Sequence, residues 1–193
     1  MRYLAIAILW AATAMAQVAT WSIDPAHSNA QFSVRHMMVS NVRGEFGKLS
    51  GTAKFDAKDP ATGSVEVTID ATSINSRNEK RDADLKSPNF FEVAKYPTIT
   101  FQSRKVERAG PEKLKVTGDL TIHGVTKEVV LDVEGPTPEI KGPGGQARVG
   151  VAATARVNRK DFGLMWNRQL DGGGVVVGDD VAITIDAELT KKQ

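Results

Sequence analysis

The chain has three histidines and no cysteine. Any metal site or acid–base pair would have to be built from those histidines and the carboxylates. His27, His36 and His123 share no i, i+2 or i, i+4 spacing, so neither a strand nor a helical turn brings two imidazoles together. A zinc or copper site made mainly of histidine is not supported by this pattern. A hydrolase needs a nucleophile beside a base and an orienting acid, and the sequence holds no G-x-S-x-G elbow. Asp171–Asp180, "DGGGVVVGDD", is glycine-rich, yet it lacks the Lys-Ser/Thr of a phosphate loop and leads into strand-like alternation. It reads as a flexible connection, with Asp179 and Asp180 as solvated loop carboxylates. His123, beside Gly124, reads as a solvated turn residue. His36 shares a face with Phe32 and Val34, so it is either a satisfied core histidine or a polar contact at the rim of a cavity. No residue is expected to be catalytic, none to bind metal, and no cofactor is implied. The protein is expected to bind rather than to catalyse.

The elements that carry these residues follow a period of two. Ala30, Phe32, Val34 and His36 alternate with Gln31, Ser33 and Arg35. Val65, Val67 and Ile69 oppose Glu66, Thr68 and Asp70, and Leu114, Val116, Leu120 and Ile122 oppose Lys115, Thr117, Asp119 and Thr121. The same alternation runs through Val129–Val133, Ala147–Val157 and Val181–Leu189. Strands with one dry and one wet face belong to antiparallel sheets. Eight such strands are expected, with Trp21–Ile23 as a short ninth. Gly44, Gly47 and Gly51 suggest a bulge or sharp bend. A single all-β domain of this kind is a sandwich or a closed barrel. The row Ala147–Val157 holds nothing larger than valine on its inner face, and Gly118 interrupts another inner row. Small inner residues leave room for a ligand unless Phe32, Phe46, Phe55, Phe101 and Trp166 fill it.

One stretch breaks the alternation. "KRDADLKSPNFFEVAKYP", Lys80–Pro97, is charged first and aromatic later. A short helix over Arg81–Leu85 is expected, with Asn78 as N-cap and Pro88 ending it. Phe90 and Phe91 would then cover one end of the β structure as a lid or plain cap.

The ends and the charge bound the compartment and the partners. Arg2, the apolar run Tyr3–Ala12 and Ala14-Met15-Ala16 have the layout of a secretory signal peptide. Residues 1–16 are expected to be removed, leaving 17–193 as a single domain without a transmembrane segment, since a spanning helix needs roughly 20 apolar residues. Lys plus Arg number 25 and Asp plus Glu 23, a formal charge of +2. Nucleic acid, which needs a concentrated basic surface, is therefore not an expected partner.

Four segments, taken in order, resemble the YceI-like family of secreted bacterial lipid-binding proteins. They are "WSIDPAHSNAQFSVRHMMVSNVRGEFG", "RDADLKSPNFFEVAKYPTITF", "VTGDLTIHGVTKEVVL", and "NRKDFGL" followed by "VGDDVAITID". The resemblance runs from about Trp21 to Leu189. It implies an eight-stranded antiparallel lipocalin-like β-barrel, with the helical insertion around residues 78–95. The implied function is a periplasmic binding or carrier protein that sequesters a long-chain amphiphile, such as a polyisoprenoid, an isoprenoid quinone, or a fatty amide or acid. A homodimer is suggested by the family alone. Candidate lining residues are Phe32, Val34, Phe46, Val67, Ile69, Phe101, Val116, Leu120, Val151 and Ala153. Phe90, Phe91, Leu164, Met165 and Trp166 are candidates for the mouth, and His36, Arg81 and Asn158 for polar contact. Many family members have His where this chain has Asp84, and a carboxylate there would disfavour a phosphate head group. Two rival readings are a ligand-free structural or stress-response protein with a packed barrel, and an accessory acting on a bound quinone.

Overall fold

The computed structural model describes residues 18–192. The expected signal peptide, residues 1–16, lies outside the described residues. The first strands are β1 (Ala19–Ile23), β2 (Asn29–His36), β3 (Ser40–Phe46), β4 (Leu49–Asp56), β5 (Asp59–Asp70) and β6 (Ile74–Asn75). After the helix α1 (Glu79–Lys86) come β7 (Thr98–Gly110), β8 (Lys113–Ile122), β9 (Val125–Glu134), β10 (Ile140–Lys141), β11 (Ala147–Asn158) and β12 (Val177–Lys191).

These segments merge into eight staves. β1 and β2 are two halves of one bent strand, broken at Asp24–Ser28, and β3 and β4 are halves of the next, broken at Gly47-Lys48. β2 pairs with β3 and β1 with β4, so both strands bend at the same level. Around the ring, β4 is followed by β5, β7, β8, β9, β11 and β12. β12 then returns to β2 through Ile183↔Phe32 and to β1 through Leu189↔Ile23. Each stave is antiparallel to its sequence neighbour, which defines a closed up-and-down barrel whose shortest seam is the three-residue pairing of β9 with β11. Trp21–Ile23 is therefore part of the first stave rather than an additional ninth strand. β12 begins at Val177, so Asp179 and Asp180 lie on a strand and not in the glycine-rich connection expected to hold them. Asp179 is paired with Lys160 (2.9 Å) and Arg159 (3.4 Å).

Two apolar clusters fill the interior. One includes Phe46, Ile74, Phe101, Leu120, Phe162 and Leu164, with Leu85 and Phe91 of the insertion packed against it. The other gathers around Trp21, Leu49, Phe55 and Leu189, where the Trp21 and Phe55 rings stack 5.3 Å apart. α1 begins at Glu79 and ends at Lys86, two residues before and one residue after its expected bounds. The Asn78 side chain caps it by accepting from Arg81 N–H at 3.0 Å.

The bend between β1 and β2 is pinned electrostatically. Asp24 accepts from Arg148 Nη1 at 2.8 Å and lies 2.9 Å from His27 Nδ1, and the same Arg148 nitrogen bonds Glu188 on β12. The His27 bond first, then Arg148, holds the Asp24 carboxyl well below the usual carboxylate range, and Asp24 in turn raises His27. The depressed Asp24 contributes stability above the ordinary aspartate range, and this is lost as pH falls through it towards the folded value. The raised His27 contributes fully below its unfolded value of about 6.5, and that contribution is lost as pH rises through its folded value. Asp24→Asn should therefore lower the melting temperature most between those limits and flatten its fall on the acid side. Thermal melts from acid to neutral pH check this; parallel profiles for both proteins would contradict it.

Candidate functional site

The barrel encloses a cavity of about 440 Å3. Its wall is built from the inward rows of every stave: Ala30, Phe32 and Val34 of β2, Val67 and Ile69 of β5, Val116 and Leu120 of β8, and Ile183 and Ile185 of β12 among them. Alternation makes this wall apolar, because residues two apart share a face.

The aromatic rings do not fill the lumen, and glycine is the reason. A Cβ at Gly44 would lie 2.4 Å from Phe32 Cζ, and one at Gly118 would lie 2.5 Å from Phe101 Cζ. Each ring therefore lies flat against the neighbouring strand at a position that only glycine leaves open, the arrangement by which an aromatic covers a strand glycine. Side chains at Gly44 and Gly118 would push those rings inward. Ala30, Ala53, Ala153 and Ala187 add further room.

The mouth is formed by α1 and its following loop, by Arg159–Trp166 and by the N-terminal end of β12. Phe90 is buried and sits 5.5 Å from the Trp166 ring, and Phe91 meets Phe46 edge-on at 5.7 Å. Five polar side chains border the cavity here: Arg35, His36, Arg81, Asp84 and Arg159. Arg81 is tied back to Ser76, donating from Nε to the hydroxyl (2.8 Å) and from Nη2 to the carbonyl (2.6 Å). Ser76 also bonds Asp82 through its N–H (2.8 Å) and hydroxyl. Asp84 accepts from Asn89 Nδ2 at 2.8 Å.

Arg159 is almost fully buried and donates to the carbonyls of Gly178 (2.9 Å), Leu164 and Val177 (3.4 Å). Burial pushes its guanidinium below the ordinary value, with Asp179 opposing that shift. It staples the 159–164 turn to β12 and so fixes the rim. Sequence reasoning gave Arg159 no role, although it continues the inward row Val151, Ala153, Ala155, Val157 by two residues. The period-two pattern could have found it.

Every apolar candidate named from the sequence except Met165 borders the cavity. Met165 points outward and is exposed. His36 and Arg81 border the cavity, but Asn158 does not. Its side chain accepts from Lys160 N–H at 2.9 Å, capping the turn, and it faces an outer groove with Arg35, Asp179 and Asp180. His123 is not the solvated turn residue expected. Tyr96 of the insertion covers it, ring centroids 4.5 Å apart, and Glu92 approaches Nε2 at 3.4 Å. The expectation failed because hairpin chemistry says nothing about what a distant loop lays over the hairpin.

Among the described residues, Asp24, His27 and Glu188 form one group with metal-type ligands. Arg148 already supplies the positive charge there, bonding both carboxylates.

A closed antiparallel arrangement of eight staves around an apolar cavity, rimmed by a few polar groups, defines a β-barrel with an internal cavity. The YceI-like domain model matches residues 21–189, and the chain belongs to that family. It is 37% identical over 170 residues to UPF0312 protein SAS2572 of Staphylococcus aureus strain MSSA476, covering 88% of this chain and 96% of that protein. Burkholderia cenocepacia BcnA superposes with a TM-score of 0.74 at 26% identity, covering 86% of this chain and 98% of that one. A polyisoprenoid binding domain from Saccharophagus degradans, described as implicated in plant cell wall breakdown, superposes at 0.67 over 90% of this chain and 99% of that one. At 18% identity, that likeness establishes the fold alone.

Gly44→Ala tests whether glycine keeps the lumen open. The new methyl should displace the Phe32 ring inward and destabilise the protein by about 1–3 kcal/mol, as overpacking does, measured by urea denaturation. The variant should also hold less of an apolar fluorescent probe. Unchanged stability and probe capacity would contradict the arrangement described.

Proposed function

We propose that this protein binds and carries one long-chain amphiphile, with the apolar chain in the barrel lumen and the polar end at the rim formed by α1, His36, Arg81, Asp84 and Arg159. The observation that carries this reading is the cavity of about 440 Å3 walled by aliphatic and aromatic side chains. At about 30 Å3 per water-sized group, such a volume suits a chain of about fifteen carbons. Each methylene removed from water contributes about 0.8 kcal/mol. Ten of them contribute about 8 kcal/mol, which exceeds the lower estimates, about 4 kcal/mol, of the cost of association. Affinity can thus arise from burial with few polar contacts, and the rim selects the head group.

Polyisoprenoid binding by the structurally similar Saccharophagus degradans domain is consistent with this ligand class. Asp84 at the rim disfavours a phosphate head and favours an amide, hydroxyl or quinone. The residues are proposed to act by binding, without turnover, and the site of action is proposed to be the periplasm, reached through the N-terminal segment. An open lumen favours a carrier over a packed structural barrel.

Ala153 lies on the cavity wall, buried, on the inner row of β11. Ala153→Trp should fill the lumen. Delipidated protein is titrated with a fluorescent farnesyl or fatty-acyl probe, and the variant should bind at least about tenfold more weakly while keeping a barrel-type circular dichroism spectrum. Equal binding by the folded variant would place the probe outside the lumen and refute this reading.

A further inference from the structure

The β2–β3 hairpin turns at Met37 and Met38, and both residues have positive φ, 48° and 62°. Consecutive left-handed residues make the tight turn that Asn-Gly adopts readily and that bulky L-residues adopt reluctantly. Two methionines therefore hold a strained backbone, and neither buries its side chain. Met37, Met38 and Val39 are 43%, 52% and 76% exposed. Strain of this kind points to a use for the side chains.

The hairpin tip does not stand alone. Met37 N–H donates to the Val176 carbonyl at 2.8 Å, and Met38 lies against Gly174. The tip is thereby fixed against the loop that follows Met165 and Trp166, which are 61% and 36% exposed. Trp166 also borders the cavity and packs on Phe90. His36 and Val176, on either side of the Met37 contact, border the cavity as well, so the hairpin tip stands at the rim of the lumen.

Charge identifies what would cover it. Residues 35–43 carry Arg35, His36 and Arg43 and no carboxylate, and residues 164–170 carry Arg168 and none. Arg35 and Arg43 are exposed on the same hairpin, with Arg35 donating to the Met38 carbonyl at 2.9 Å. The nearby carboxylates are exposed Asp171, at the start of the loop that Met38 touches, and Asp179 and Asp180 in the outer groove shared with Arg35 and Arg156, where Asp179 is already paired with Lys160; the arginines remain in excess. A second copy docked by this patch would set arginines against arginines. An anionic lipid surface complements both features: apolar side chains enter the headgroup boundary, tryptophan sits at that level, and arginines meet the lipid phosphates.

We propose that the Met37-Met38-Val39 tip and Trp166, ringed by Arg35, Arg43 and Arg168, form a docking surface for an anionic membrane that sets the rim of the lumen against the bilayer. The docking rests on the carrier reading for its purpose, but the two are measured separately. Mature protein is floated with vesicles of phosphatidylcholine containing phosphatidylglycerol, and with pure phosphatidylcholine, at low and high salt. Binding should require the anionic lipid and weaken with salt. Met37→Asn combined with Met38→Gly should bind at least about tenfold more weakly. The same variant should melt no lower than the parent, because it suits the turn, and should still take up the fluorescent probe from solution. Absence of vesicle binding at low salt, or equal binding by the double variant, overturns the docking surface. So does a dimer in solution that the double variant dissociates while vesicles are ignored. Loss of probe uptake with vesicle binding intact would sink the carrier and leave the docking surface standing.

Discussion

Closure of the ring between the last stave and the first is the constraint on which the rest depends. β12 pairs with β11 from Asp180 to Thr190 on one side and with β1 and β2 on the other. Once it does so, every stave has a neighbour on both sides, although β9 and β11 pair over three residues only, from Ala152↔Glu134 to Thr154↔Asp132. The same closure gives the alternating side chains only two places to go, water or lumen. A closed ring thus turns a simple hydrophobic alternation into an apolar compartment. The cluster of Asp24, His27, Arg148 and Glu188 sits where β1, β11 and β12 meet, and it secures the closure at its bend.

Closure makes an interior but does not make it hollow. Eight-stranded barrels have just enough room for side chains to fill them. Here two glycines take the phenylalanine rings against the wall, and a row of alanines and valines on β11 withholds bulk from the centre. The insertion after β6 supplies the opposite quality at one end. It brings Leu85, Phe90 and Phe91 over the lumen and is itself held by the Ser76 contacts to Arg81 and Asp82. The charged, aromatic-tipped stretch that interrupts the β pattern is the end of the barrel at which polar groups meet the cavity.

Much of this was legible in the sequence, because period two, turn residues and an N-cap are local signals. The strands, the Asn78-capped helix and nearly all of the wall follow from them. The departures share one cause. Whether Met165 faces in or out, whether Asn158 caps a turn, and whether Tyr96 covers His123 depend on how distant loops settle on the barrel ends, where alternation stops. Arg159 shows the converse: the period continued one position past the strand, and a buried guanidinium stood where an apolar side chain would be expected. The strain at Met37 and Met38 is equally invisible to composition, since it lies in φ.

The central claim is that the lumen holds one apolar chain. Protein expressed in its native host, purified without detergent and examined by native mass spectrometry alongside organic extraction tests it most directly. A carrier predicts a single bound amphiphile per barrel, released on extraction, with about fifteen carbons of its chain accommodated by the cavity. Protein of bare polypeptide mass that yields no lipid on extraction, and takes none up when offered prenyl and acyl chains, would contradict it.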